Sequence, residues 1–126
     1  MQVRVLGEVE LPGHGYHSIA LPLGLPTCST ADEFPGPVIR GSNRSAAVLE
    51  QLVLEMSSLF PDQAFHIGGD ETAETNGKWP CGWENTKDLE RRVLRALQQR
   101  GGKIVMAWDE VGVSTGALQP RGLPRV

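Results

Sequence analysis

The sequence predicts an α/β fold built on a parallel sheet. Three short segments with the composition of buried strands, 3–9, 64–71 and 103–108, alternate with two apolar patterns typical of helices. The order strand, helix, strand, helix, strand implies parallel strands joined by crossover connections. Each predicted strand ends in acidic residues, and functional groups gather at this edge in parallel α/β proteins.

Both helices are predicted from apolar residues at helical spacing. The stripe of the first consists of Leu49, Leu52, Val53, Met56 and Phe60. Ser42, Asn43 or Ser45 would cap its start, and Pro61 would end it. The stripe of the second helix, predicted over 88–99, consists of Leu89, Val93, Leu94 and Leu97. The proline-rich segment 16–37 and the polar segment 72–84 are predicted as loops.

Composition excludes several functions. The chain has 126 residues, of which 40% are hydrophobic and 21% are charged, as in a globular domain. A net charge of -3 and a pI near 5.6 give no broad basic surface, so we expect no nucleic acid or anionic membrane as a partner. The sequence contains no run of 18 apolar residues, so we expect no membrane span. Its first residues do not have the pattern of a secretory signal.

The central motif is the stretch 64–72, Ala-Phe-His-Ile-Gly-Gly-Asp-Glu-Thr. Neighbouring side chains of a strand point to opposite faces, so Asp70 and Glu71 can serve one cavity only if the chain turns. The preceding Gly68-Gly69 pair permits such a turn. An Asp-Glu pair alone is usually a solvated turn. The histidine and the double glycine before it favour chemistry.

This motif resembles the His-x-Gly-Gly-Asp-Glu signature of the β-N-acetylhexosaminidases of glycoside hydrolase family 20. Segment 8–14 is similar to the Pro-Glu-x-Asp-x-Pro-Gly-His segment of that family, with Gly7 in place of the proline and Glu10 in place of the aspartate. Segment 108–110, Trp-Asp-Glu, resembles a third, whose indole forms a wall of the sugar pocket. The resemblance implies that residues 1–126 are a partial catalytic domain, a TIM-barrel fragment with about three of its eight parallel strands.

The resemblance also implies a reaction, the hydrolysis of terminal, non-reducing β-linked N-acetylhexosamine (GlcNAc or GalNAc) with retention and assistance from the substrate. Glu71 would be the general acid and then the general base. Asp70 would orient and polarise the 2-acetamido group. The residues implied to bind substrate are Trp108 and Glu110, and those implied to support the site from behind are His66, His14, Glu8 and Glu10. No cofactor is implied, and no metal, because the His and Cys residues lack the spacing of a zinc site.

Cys28 and Cys81 permit one bridge or two free buried thiols, and their spacing does not decide between these. Their contexts are similar to a bridged pair in the lysosomal type of hexosaminidase, so the resemblance implies a disulfide. Asn43-Arg44-Ser45 is also an N-glycosylation sequon. Both features predict a glycoprotein that is lysosomal, vacuolar or secreted, and the resemblance is compatible with a homodimer of the full-length protein.

Two other functions stay open. The family's sugar-binding arginine, its Tyr-x-Asp pair and its late Trp-x-Glu have no counterpart here, so we expect a fragment of a larger domain. Such a fragment is compatible with a catalytically silent, carbohydrate-binding remnant that keeps Trp108. A different retaining glycosidase, with its acid in the Asp70 and Glu71 region and Glu110 as nucleophile, is the second alternative.

Overall fold

A computed structural model describes residues 3–29, 36–72 and 78–111. The regular elements, in chain order, are β1 (Gly7–Glu8), α1 (Leu21–Leu23), β2 (Thr27–Cys28), β3 (Val38–Ile39), α2 (Asn43–Ser58), β4 (Ala64–His66), α3 (Trp83–Arg95) and β5 (Ile104–Met106). Two π-helical turns, Tyr16–Ala20 and Ala96–Arg100, precede α1 and follow α3. The strands β1, β4 and β5 form a parallel sheet with β4 in the middle. The predicted parallel α/β arrangement is therefore confirmed.

The first strand is shorter than predicted. Residues 3–6 are exposed and form no regular structure, and pairing begins at Gly7. The β-branched residues Val3 and Val5 favour an extended chain, but a strand also needs a neighbour to pair with and a surface to pack on. At its other end β1 continues beyond its formal limit, because the amides of Val9 and Leu11 donate to the carbonyls of His66 and Ile67, each at 3.0 Å.

Helix α2 matches its prediction because its start is encoded locally. The Ser42 hydroxyl accepts a hydrogen bond from the Ser45 amide at 3.0 Å, and the Ser45 hydroxyl accepts one from the Ser42 amide at 2.9 Å. This reciprocal pair satisfies two backbone donors that the first turn leaves free. Leu49 and Val53 are fully buried in the core, as their spacing predicted.

Helix α3 begins at Trp83 rather than Asp88, so the loop predicted over 72–84 is shorter than expected. A contact distant in sequence holds its first turn. The Asn85 side chain accepts from the Gly41 amide at 2.7 Å and donates to the Gly41 carbonyl at 2.9 Å. Residues 73–77 of the predicted loop lie outside the described residues.

The segment 16–37 was predicted as an irregular loop, and this is wrong for part of it. It contains the first π-helical turn, α1 and β2, and β2 pairs antiparallel with β3, with Cys28 opposite Val38. The disulfide Cys28–Cys81 joins this pair to the chain just before α3. Residues 30–35 lie outside the described residues.

The two faces of the parallel sheet have different surroundings. Gly7, Phe65 and Val105 stand in register and are buried, and the last two belong to one core with residues of α2 and α3. We call this the covered face. Because side chains alternate along a strand, Glu8, His66 and Met106 form the next row on the opposite face. Met106 is 40% exposed, so we call this the open face.

None of the described helices has the length and apolar character needed to cross a membrane.

Candidate active site

The site forms where the three parallel strands end. The chain following β1 supplies Glu10 and His14, the chain following β4 supplies Asp70 and Glu71, and the chain following β5 supplies Trp108. The strand ends lie level because Glu8 pairs with His66 and His66 with Met106. The Trp108 amide extends the register by donating to the Gly68 carbonyl at 2.9 Å.

Two glycines turn the chain between His66 and the carboxylates. Gly68 and Gly69 have φ angles of 69° and 94°, which residues with a Cβ rarely adopt. Space is lacking as well, because a Cβ on Gly68 would lie 2.5 Å from Glu10 Oε2, and one on Gly69 would overlap the Val111 side chain. Glu71 itself has φ 50°. The turn that the sequence predicted is present and leaves no room for larger residues.

His14 reaches both carboxylates from the loop after β1. Its Nε2 lies 3.1 Å from Glu71 Oε2 and 3.9 Å from Asp70 Oδ2. The loop packs closely beneath them, since a Cβ on Gly13 would lie 3.2 Å from the Asp70 carbonyl oxygen. An imidazole N–H at Nε2 donates a hydrogen bond to Glu71 and so fixes the direction of that carboxylate.

His66 connects the end of β1 with the indole of Trp108. Its Nδ1 lies 2.9 Å from Glu8 Oε1 and 2.9 Å from the Gly68 amide nitrogen. One nitrogen cannot serve both at once: protonated, it donates to Glu8, and with a free lone pair it accepts from Gly68. The imidazole meets Trp108 edge to face, with ring centroids 5.3 Å apart. Trp108 remains 49% exposed, so its indole is free to contact a ligand.

Glu10 lies against the turn, with its carboxyl group over Gly68. Burial, together with the nearby carboxyl groups of Glu8 and Asp70 and their negative charges, raises the pKa of Glu10 from 4.5 to about 8. Glu10 Oε2 and Asp70 Oδ1 are both buried, and neither has a hydrogen-bond partner among the described residues. The replacement of aspartate by glutamate therefore leaves this side chain within the carboxylate cluster.

One oxygen or nitrogen atom from each of His14, Asp70 and Glu71 lies within 4.8 Å of the others. Imidazole and carboxylates at this spacing could hold a divalent cation. Partly exposed acidic groups commonly cluster in this way without an ion, and we assign no metal to them.

The remaining predicted residues lie in different places. Glu110 is exposed and follows Trp108 in the chain. Asn43 is exposed at the first position of α2, where it lines a cleft of about 280 Å³ between α2 and α3 that contains none of the carboxylates above. The sequence reasoning missed Val111, whose buried side chain presses on Gly69. The double glycine was the signal that some group approaches closely there.

With this geometry established, comparison with known proteins identifies the family. Residues 1–122 match the family described as Glycosyl hydrolase family 20, catalytic domain. The chain belongs to glycosyl hydrolase family 20. The catalytic domain of this family is a TIM barrel, and the parallel sheet with its helices is a fragment of such a barrel.

The curated relatives that resemble this chain include proteins named beta-hexosaminidase. The chain is 33% identical over 92 residues to the beta-hexosaminidase subunit alpha of Bos taurus, which covers 70% of the chain and 16% of the relative. It is 26% identical over 140 aligned positions to a beta-hexosaminidase of Porphyromonas gingivalis, covering 94% of the chain and 17% of the relative. The chain thus spans about a sixth of the length of these curated relatives.

Proposed function

We propose that residues 1–126 are part of a catalytic barrel that hydrolyses terminal, non-reducing β-linked N-acetylhexosamine residues, with the substrate's own 2-acetamido group as the nucleophile. The observation that supports this most is the position of Asp70 and Glu71. They are adjacent, they leave the central strand at its carboxyl end, and His14 lies 3.1 Å from Glu71. Catalytic groups of parallel barrels occupy this end of the strands.

In this proposal Glu71 is the general acid and then the general base. It protonates the leaving glycosidic oxygen, and afterwards it takes a proton from the water that attacks the anomeric carbon. Its side chain is about half exposed, so a substrate can reach it. The hydrogen bond from His14 holds the carboxyl group in one direction while the proton is transferred.

Asp70 acts on a different part of the substrate. The acetamido carbonyl oxygen attacks the anomeric carbon and forms an oxazolinium ion, whose positive charge extends to the nitrogen. The carboxylate of Asp70 accepts a hydrogen bond from that nitrogen and stabilises the charge that develops there. Trp108, exposed beside His66, supplies an apolar wall for the sugar ring.

In the test, this chain replaces the matched segment of the bovine relative. The resulting hybrid, which we call the segment-exchanged enzyme, is assayed on two aryl glycosides. One carries a 2-acetamido group, and the other carries a 2-hydroxyl group on an otherwise identical sugar. We expect cleavage of the first only, and a loss of about 10² to 10³ in kcat on Asp70→Asn, the size typical for removing one preorganised charge-stabilising contact.

Other outcomes of this exchange distinguish the alternatives. Cleavage of the 2-hydroxyl substrate would favour a retaining glycosidase with a protein nucleophile, for which Glu110 is the candidate. Binding of N-acetylglucosamine without turnover, unchanged in Asp70→Asn, would favour a carbohydrate-binding remnant. Either result would contradict the substrate-assisted mechanism.

A lysosomal or secreted location is part of the same proposal. The disulfide Cys28–Cys81 supports it, because disulfides persist mainly in oxidising compartments. Immunostaining of cells that express the protein, with a lysosomal marker and an assay of the medium, would test it. Protein confined to the cytosol would contradict this part of the proposal.

A further inference from the structure

Three carboxyl groups meet at the ends of β1 and β4. The carboxyl group of Glu10 is close enough to those of Glu8 and Asp70 for both of them to raise its pKa. An ionised carboxylate can only accept hydrogen bonds, so three ionised neighbours would repel one another and share no donor. At least one of them must carry a proton for the contacts to be attractive.

The geometry indicates which oxygens share that proton. Glu10 Oε2 and Asp70 Oδ1 are both buried, and each lacks a hydrogen-bond partner among the described residues. Buried polar atoms nearly always have a partner, so two such atoms in one cluster need an explanation. Glu8 has another donor within reach, because its Oε1 lies 2.9 Å from His66 Nδ1, which donates to it when protonated. A single proton between Glu10 and Asp70 would satisfy both unpaired oxygens.

We propose that Glu10 is kept as a neutral carboxylic acid that donates a hydrogen bond to Asp70, and that it thereby positions the Asp70 carboxylate for the substrate's acetamido group. The role of Asp70 in this statement rests on the proposed function. The hydrogen bond itself does not.

The surroundings of Glu10 favour the neutral form. Its carboxyl group packs directly against Gly68. A Cβ added to Gly68 would lie only 2.6 Å from Glu10 Cδ. The charges that act on it come from Glu8 and Asp70, both negative. The two histidines of the cluster contact those neighbours instead, His66 at Glu8 and His14 at 3.9 Å from Asp70 Oδ2. Trp108 and Val111, on the side of β5, carry no charge.

The direct test is a carboxyl titration of the whole chain by nuclear magnetic resonance. Glutamate and aspartate are labelled with ¹³C, and their carboxyl carbons are assigned by through-bond experiments, so the wild-type chain is sufficient. We expect the Glu10 carboxyl carbon to titrate with a midpoint near pH 8, and the Asp70 carboxyl carbon to show an inflection at the same pH. A Glu10 midpoint near the ordinary 4.5, or no response of Asp70, would overturn the proposal.

Three variants sharpen the assignment. Glu10→Gln removes the titrating group and should abolish the Asp70 inflection. Glu8→Gln should retain that inflection, and its disappearance would make Glu8 the partner and contradict our assignment. Glu55→Gln, on the exposed side of α2, is the matched control and should leave both signals unchanged.

The positioning role has its own readout in the segment-exchanged enzyme. An amide at residue 10 can still donate to Asp70, so Glu10→Gln should keep more of kcat than Glu10→Ala. We expect the rate of wild type to fall above pH 8, where Glu10 loses its proton, and this fall should be absent in Glu10→Gln. Equal rates and equal pH profiles for the two variants would contradict positioning through a hydrogen bond. The carboxyl titration does not depend on activity, so it separates failure of this inference from failure of the proposed function.

Discussion

The covered face and the open face of the parallel sheet are built from alternate residues of the same strands. On β4, Phe65 points to the covered face and is fully buried, whereas His66 points to the open face and contacts Glu8 and Trp108. Neighbouring residues of one short strand thus have different roles. The covered face packs the sheet against the helices, and the open face continues into the carboxylate cluster.

This division predicts that substitutions on the two faces differ in which property they change. A covered-face residue should affect the free energy of unfolding, because it loses packing against the helices. A half-exposed residue of the cluster such as Glu71 should affect activity at nearly constant stability. Four predictions test the division, in order of decreasing effect.

Phe65→Ala should lower the free energy of unfolding by about 3 to 5 kcal/mol, because it removes a fully buried ring and leaves a cavity. Urea unfolding followed by circular dichroism measures this change. Ile104→Ala on the open face is the control and should cost far less, because Ile104 is 63% exposed. Similar costs for the two variants would show that the faces do not differ in packing.

Glu71→Gln should reduce the rate of the segment-exchanged enzyme by about 10² to 10⁴, the usual contribution of general acid–base catalysis. Aryl glycosides with good leaving groups should lose less, because they need less protonation. The free energy of unfolding should change little, since the side chain is about half exposed. Equal losses on good and poor leaving groups would contradict the role of Glu71 as acid.

The free energy of unfolding should fall as the pH rises from about 4.5 to about 8, through the titration of Glu10. The pKa of this group is raised to about 8 in the folded chain, so the folded state binds the proton more tightly than the unfolded state does. The stabilisation is complete below the unfolded pKa and is lost as the pH passes the folded pKa. Urea unfolding at several pH values should show this fall in wild type relative to Glu10→Gln, and parallel curves would contradict it.

Ser42→Ala should cost about 1 kcal/mol, the usual effect of removing an N-cap. Its hydroxyl accepts from the Ser45 amide at the start of α2, on the covered side of the sheet. Thermal unfolding measures the loss. Ser58→Ala, near the exposed end of the same helix, is the control and should have a smaller effect. A larger loss for Ser58→Ala would contradict the capping role.

The sequence predicted those elements whose determinants are local. The prediction of helix α2 was correct because Ser42, Ser45 and the apolar stripe all lie within the helix or next to its ends. The early start of α3 was missed because it depends on Gly41, which is distant in the sequence from Asn85. The predicted start of β1 was wrong because Val3 and Val5 have the composition of a strand but no strand to pair with in the described part of the chain.

The candidate site divides in the same way. Asp70, Glu71 and His14 were selected from a motif, and the structure brings them together. The bridge between Cys28 and Cys81 was predicted only through resemblance, since spacing alone left two possibilities, and it is present. The state of Glu10 was out of reach, because its pKa depends on Glu8 and Asp70 in three dimensions.

The disulfide has a topological consequence. Together with the backbone between its ends, which are separated by 53 positions in sequence, it makes a closed covalent ring. The ring contains α2, β4 and both proposed catalytic carboxylates, whereas His14 and β5 lie on tails outside it. A protease that cuts once anywhere inside the ring opens it but releases no fragment. The nicked chain should keep its full mass, apart from one added water, until a reductant separates the two pieces.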